Sequence, residues 1–340
     1  MVDVEQRQPK PHLSFEKQLQ VLKDRGLHVG DDALALKYIQ RIGYYRLSGY
    51  FYPLRQTNPI GQQGRQDQFV DGSSFELVVK VAEFDKKLRL IVLHALETVE
   101  VTVRVAVAHR LGKLDPEAHL ISRFLDGKFC QSQRYGKESD HAEWLKRFQA
   151  AYEKSKEEFV EHHRTLYGGR MPIWVAVELW DFGLLSRFVA GMQHRDQNSL
   201  AIAYGLNDGS VLKSWMRMFN FIRNVAAHHS RLWNRSLPET PVLPPLERCR
   251  WLEPLHKDKR AHSKMFGALT CLRMMLKSIA PDSEWHEQLK AHIATFPKSD
   301  FISIEAMGFP EGWESLQIWV GHQDKLSVLP EDVLVQEIFI

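Results

Sequence analysis

The feature that most limits the fold is a stretch of about 35 residues with one continuous helical apolar rhythm. Ser73 and Ser74 can cap it, and apolar positions recur through Leu77, Val81, Phe84, Leu88, Ile91, Leu96, Val99, Val103 and Val107. At about 1.5 Å per residue this is a rod of about 50 Å, long enough to cross a whole domain.

Helical periodicity continues on both sides of the rod, and glycine-bounded strand alternation is scarce. Ser14 precedes FEKQLQVLKDRG, a short helix with apolar Phe15, Leu19 and Leu22 that Gly26 can end. Asp31 and Asp32 introduce the amphipathic ALALKYIQRIG, and the aromatic-rich GYYRLSGYFYP follows. Residues 56–68, QTNPIGQQGRQDQ, read as a flexible loop. Beyond the rod, residues 126–140 are a polar connection into one charged helix around EWLKRFQAAYEKSKEEFVEHH. MPIWVAVELWDFGLLSRFVAGM reads as a single apolar helix opened by Pro172. Asp208 or Ser210 can cap SVLKSWMRMFNFIRNVAAHHSRLW, after which four prolines between 238 and 245 mark a break. KMFGALTCLRMMLKSIA and EWHEQLKAHIATF are two more helices before an irregular tail. The expected organisation is all-α: an N-terminal helical extension over 1–70, a helical bundle over 71–237, and a C-terminal helical and irregular extension over 246–340.

The chain carries 45 Lys and Arg against 42 Asp and Glu, net +3, so a nucleic-acid site has to be a local patch. Three cysteines without a CxxC pair suggest neither a zinc ribbon nor a disulfide framework. No HExxH, P-loop, nucleophile elbow or GxGxxG is present, and no metal or cofactor is expected. No run approaches the roughly 18 apolar residues that would span a membrane, and the start of the chain lacks an apolar signal segment. The expectation is a cytoplasmic protein without a membrane partner.

The informative segment is Arg223-Asn224-Val225-Ala226-Ala227-His228-His229, at the end of an apolar helix. Cleaving a phosphodiester without metal needs a base near the 2′-hydroxyl, an acid near the leaving 5′-oxygen and a cation on the phosphate. Histidine titrates near neutrality and can be base or acid, while arginine matches phosphate with a bidentate fork. On one straight helix, however, Arg223 and His228 would stand roughly 140° apart. Either the helix breaks near Asn224, or a second copy of the chain completes the site and supplies a second histidine. Asn224 shares the face of His228 and could orient its imidazole. A second string of the same spacing, Arg104 to His109, lacks the polar residue and lies in an apolar stripe, so His109 reads as structural or near-surface.

RNVAAHHSRLWNR, IGYYRLSGYFYP, PIWVAVELWDFG and EAMGFPEGW resemble motifs of the Abi-like family (the AbiD and AbiF group) within the HEPN superfamily. Their order matches too, with ETVEVTVR on the long helix and W-x-x-x-E-x-x-x-F-G ahead of R-N-x-x-x-H-H; the resemblance runs from about residue 14 to about 320. It implies a HEPN-type helical bundle core, homodimerisation about the R-x4-H motif with a composite active site, and metal-independent endoribonuclease activity. The products would be a 2′,3′-cyclic phosphate and a 5′-hydroxyl. It also implies a role in phage defence or toxin–antitoxin behaviour, with a cognate small non-coding RNA as partner beside the RNA substrate. Arg223, Asn224 and His228 carry over as catalytic residues, and His229 matches the family's second histidine. The competing reading is a non-catalytic HEPN module that binds RNA or acts as a scaffold, and a third is a partner of a nucleotidyltransferase on another chain.

Glu97 and Arg104 lie within about 20° of each other on the long helix, and Glu100 with Arg104 is a favourable i,i+4 pair. They are either a buried ion pair supporting the active site from behind or a half-exposed salt bridge. Tyr44, Tyr45, Arg46 and Tyr50 mix aromatics with a cation, as RNA-stacking surfaces do, or pack the N-terminal helices together. Tyr44, Tyr45 and Arg46, with Arg231 beyond the motif, are the RNA-contact candidates. Trp174, Glu178, Phe182 and Gly183 read as core and helix-end residues, where a Glu178 carboxylate would need a partner. His162-His163 and His228-His229 are adjacent pairs, which point apart on a helix and suit a metal poorly.

Overall fold

The computed structural model describes residues 11–131 and 136–320. The first ten residues, residues 132–135 of the expected polar connection and residues 321–340 of the expected tail lie outside the described residues. Among the described residues the chain is predominantly helical, with fifteen α-helices and one two-stranded sheet. Contacts divide it into two compact units, and the division falls within the long helix. One unit comprises the residues up to Lys87 with His292–Ile304; the other comprises Leu88–Ala291 with the residues from Glu305 on.

In the first unit, α1 (Phe15–Asp24) and α2 (Asp32–Ile42) both begin at side-chain caps. Ser14 Oγ accepts from Lys17 N at 3.3 Å, and Asp31 accepts from Leu34 N at 3.0 Å. Leu19 and Leu22 are buried, but Phe15 is 42% exposed, so α1 buries a narrower stripe than its spacing suggests. α3 (Tyr44–Phe51) buries Leu47, Tyr50 and Phe51. Tyr50 Oη donates at 2.7 Å to the buried Asp85 of α4 (Phe75–Gly112), the expected rod.

The expected flexible loop over 56–68 is instead part of a hairpin, β1 (Arg55–Thr57) pairing antiparallel with β2 (Arg65–Phe69). Its strands are polar, so neither alternation nor β-branched residues announce them. Long-range backbone bonds hold them: Phe69 N donates to Arg25 O at 2.8 Å, and Val70 N to Leu54 O at 2.9 Å. The buried Phe69 ring sits edge-on to Phe51 at 6.0 Å.

The second unit departs from the expected helices twice, each time at a local cap. The charged helix expected over 143–163 is two, α6 (Asp140–Lys154) and α7 (Glu158–Leu166), preceded by the short α5 (Gly127–Cys130). Ser155 turns extended and its Oγ accepts from Glu157 N at 3.3 Å, while Arg164 reaches back to the Tyr152 carbonyl at 2.6 Å and closes the corner. The apolar stretch 171–192 is also broken. α8 (Ile173–Ala176) runs into a 3-10 turn, Trp180 is extended, and Asp181 starts α9 (Phe182–Gly191) by accepting from Leu184 N at 2.7 Å.

α10 (His194–Ala203) follows, then α11 (Gly209–Ala227), which Asp208 caps through Ser210 N at 2.6 Å. The proline-rich segment lies along α11, where Trp215 Nε1 donates to Val242 O at 2.8 Å. The short α12 (Glu253–Lys257) and α13 (Lys259–Ser263) precede α14 (Met265–Ile279), buried along most of its length, and α15 (Trp285–Ile293). Trp144, Trp180 and Phe188 form an aromatic cluster with ring centroids 4.6–5.0 Å apart. No helix among the described residues is long and apolar enough to cross a membrane.

Candidate functional site

The R-N-x-x-x-H-H segment closes α11 in a Schellman motif. Ser230 N donates to Val225 O at 2.9 Å and His229 N to Ala226 O at 3.0 Å. The residue that turns left-handed there is His229, at φ 57, the one non-glycine residue with positive φ among those described. Glycine is the usual occupant of this position, so His229 holds backbone strain on the order of 1 kcal/mol. His228 and His229 are both exposed at the helix end.

Of the two resolutions offered for the Arg223–His228 angle, a break near Asn224 is absent. α11 is continuous there, and the Asn224 carbonyl accepts from His228 N at 3.0 Å. His228 keeps near-helical angles (φ −83, ψ 12). The two side chains therefore leave the helix about 140° apart. Arg223 is half-buried and His228 stands in solvent.

Arg223 belongs to a polar network drawn from three elements. Its Nη1 donates to Asn224 Oδ1 at 3.4 Å, and Asn224 Nδ2 donates to Asn220 Oδ1 at 3.3 Å. On α4, Arg104 donates to Glu100 at 2.5 Å and also to the carbonyl of Trp180, at the break between α8 and α9. These two side chains are only 17% and 14% exposed, so the pair is largely covered rather than a surface bridge. Burial pushes the Glu100 carboxyl up, against the opposing pull of Arg104 and Arg223; Asp181, the α9 cap, adds to the rise. Arg223 is thus tied to a chain of amides, with the Glu100 carboxylate within electrostatic reach. A bidentate cation fixed this way can take a phosphate without losing much side-chain freedom.

The other sequence candidates fall elsewhere. Glu97 is exposed, one turn before Glu100. Glu178 needs no partner, contrary to expectation, because its 3-10 turn presents it to solvent. Trp174 is 53% exposed and lies against Gly112, whereas Phe182 is fully buried as expected. His109 is half-buried on α4. Tyr44 packs on Phe51 at 6.1 Å and Tyr50 is buried, while Tyr45 is 91% exposed beside the exposed Arg46. These four residues belong to the first unit, and the network to the second. Arg231 is half-buried, and its carbonyl accepts from Arg235 Nε at 3.0 Å. Among the described residues no group of three or more His, Cys, Asp or Glu is placed to hold a metal ion.

Asp181 and Asn220 were not anticipated. Asp181 carried a usable signal, a capping residue immediately before an apolar run. Asn220 lies four residues before Asn224 on one helix face, which also could have been read.

A protein-family model described as Abi-like protein matches residues 37–234, well over half of the chain and every member of the network. The chain belongs to the Abi-like protein family. Membership points to abortive infection, a defence against phage. Within this Abi-like chain the matched span takes in the IGYYRLSGYFYP, PIWVAVELWDFG and R-N-x-x-x-H-H segments; EAMGFPEGW lies outside it. No curated protein and no solved structure matches the chain.

Proposed function

We propose that this Abi-like chain is a HEPN-type, metal-independent endoribonuclease of the AbiD/AbiF kind, acting in cytoplasmic phage defence or a toxin–antitoxin system and restrained by a cognate small RNA. The observation that carries the reading is the end of α11: Arg223 donates to Asn224 within electrostatic reach of Glu100, and beyond it on the chain two histidines stand exposed. In the proposed reaction Arg223 takes the non-bridging oxygens of the scissile phosphate. A histidine accepts the 2′-hydroxyl proton, the 2′-oxygen attacks phosphorus, and a second histidine protonates the departing 5′-oxygen. The cyclic phosphate and the 5′-hydroxyl follow from that proton transfer. Because α11 is unbroken, Arg223 and His228 of one chain diverge. A homodimer that faces two α11 ends brings the arginine of one copy to the histidine of the other.

The test is an RNA cleavage assay in EDTA, comparing the wild type with Arg223→Ala and His228→Ala and sequencing any RNA that copurifies. Cleavage by the wild type alone, with cyclic-phosphate ends, is the expected result. Equal cleavage by the variants would reject the assigned site. No cleavage after bound RNA has been stripped would instead favour an RNA-binding or scaffolding module.

A further inference from the structure

One surface cavity of the second unit has no part in the network above. It is an open groove of about 580 Å³ between α6, residues 117–120 and the Gly168–Met171 turn. That volume lies within the roughly 300–1,000 Å³ typical of small-molecule sites. Leu145, Phe148 and Met171 supply apolar walls. Each charge on the rim has a partner: Arg170 Nε donates to Glu117 at 3.0 Å, Lys146 to Glu138 at 2.6 Å, and Glu153 accepts from Gln149 at 2.9 Å. Both lining cations are thus already paired with a carboxylate.

His119 also lines the groove. It is 0% exposed, and neither of its ring nitrogens has a partner. Buried polar groups are nearly always hydrogen-bonded, so an imidazole with both nitrogens unmet is the exception that calls for a reason. Burial lowers its pKa to about 4, which leaves a neutral ring with one donor and one acceptor.

We propose that this groove binds an uncharged, planar nitrogen heterocycle of nucleobase or nucleoside size, with His119 as its polar contact. The apolar walls accept the faces of such a ring, and its nitrogens or exocyclic amine match a neutral imidazole. The carboxylates that pair the rim cations, with Glu153, disfavour an anion. The same imidazole packs on Trp180 at 6.3 Å between ring centroids, and the Trp180 carbonyl receives Arg104. His119 thus lies between the groove and the residue whose carbonyl anchors Arg104.

The test is calorimetric titration of the full chain with adenosine, cytidine, guanosine and uridine, and with AMP as the charged counterpart. One nucleoside is expected to bind with Kd below about 1 mM, and AMP at least tenfold more weakly. Ala150→Trp, which fills the exposed mouth, is expected to abolish binding at unchanged Tm. His119→Phe should weaken binding at least tenfold while melting no lower than the wild type. The proposal fails if no nucleoside binds, if AMP binds as well as adenosine, or if Ala150→Trp or His119→Phe binds like the wild type. None of these readings depends on RNA cleavage, so the nuclease assignment stands or falls separately.

Discussion

Replacing His229 by glycine relieves the left-handed position that closes α11. For a residue with a Cβ that conformation costs about 1–2 kcal/mol, and His229 sits in it at φ 57. Glycine removes the strain but adds backbone freedom to the unfolded chain, worth roughly 0.5–1 kcal/mol in the other direction. His229 is exposed, so no burial is lost. The net expectation is a gain of about 0.5–1 kcal/mol, or roughly 1 °C in Tm for a chain of this size. Urea unfolding followed by circular dichroism measures it, with His229→Ala as the reference that keeps the strain but removes the imidazole. His229→Gly must be more stable than His229→Ala; the reverse order would refute the argument that strain resides there. The cleavage assay on the same proteins adds a second reading. A glycine variant that is more stable yet cuts more slowly would show strain retained for the sake of the imidazole.

Three further outcomes are expected. Mixing Arg223→Ala with His228→Ala chains should restore cleavage to about a quarter of wild type, since half of randomly assorted dimers hold one intact site of two; no recovery would mean that each chain carries its own site. His119 lets stability drain as pH falls. Its folded pKa, about 4, lies below the ordinary 6.5, so the unfolded chain binds the proton first. The contribution is whole above pH 6.5 and lost on the way down to about pH 4, a swing of about 3 kcal/mol. His119→Phe should therefore lose less stability between neutral pH and about pH 4.5 than the wild type, and equal losses would contradict the assignment. Finally, Asp181→Ala should cost about 1 kcal/mol through loss of the α9 cap, and Asp181→Asn should recover most of it. Equal melting of the two variants would show that the cap contributes nothing.

The rod over α4 was legible because its rhythm is long, and a local rule repeated over many residues leaves little room for another answer. The caps at Ser14, Asp31 and Asp208 were legible for a similar reason, since a side-chain oxygen reaches only two or three residues along. The hairpin over Arg55–Phe69 was not, because its partners are the backbones of Arg25 and Leu54 rather than anything in its own pattern. The candidate site divided along the same line. Arg223, Asn224, His228 and the Glu100–Arg104 pair could be marked from residue type and spacing. Asp181 and Trp180 entered only because the 171–192 stretch breaks where it does.

The sequence by itself determined the helical class, the length of α4 and the string of groups that ends α11, because periodicity and residue chemistry act within a few positions of the chain. Only the folded structure decided that His229 takes the left-handed turn, that Glu178 faces water and that the Glu100–Arg104 pair is largely covered. The last depends on what covers a residue, and the groups around Glu100 include Trp180, Asp181 and Arg223, tens to more than a hundred positions away. Whether a helix breaks, or a carboxylate is desolvated, turns on the balance between packing gained and backbone bonds or hydration given up, and only the assembled neighbours set that balance.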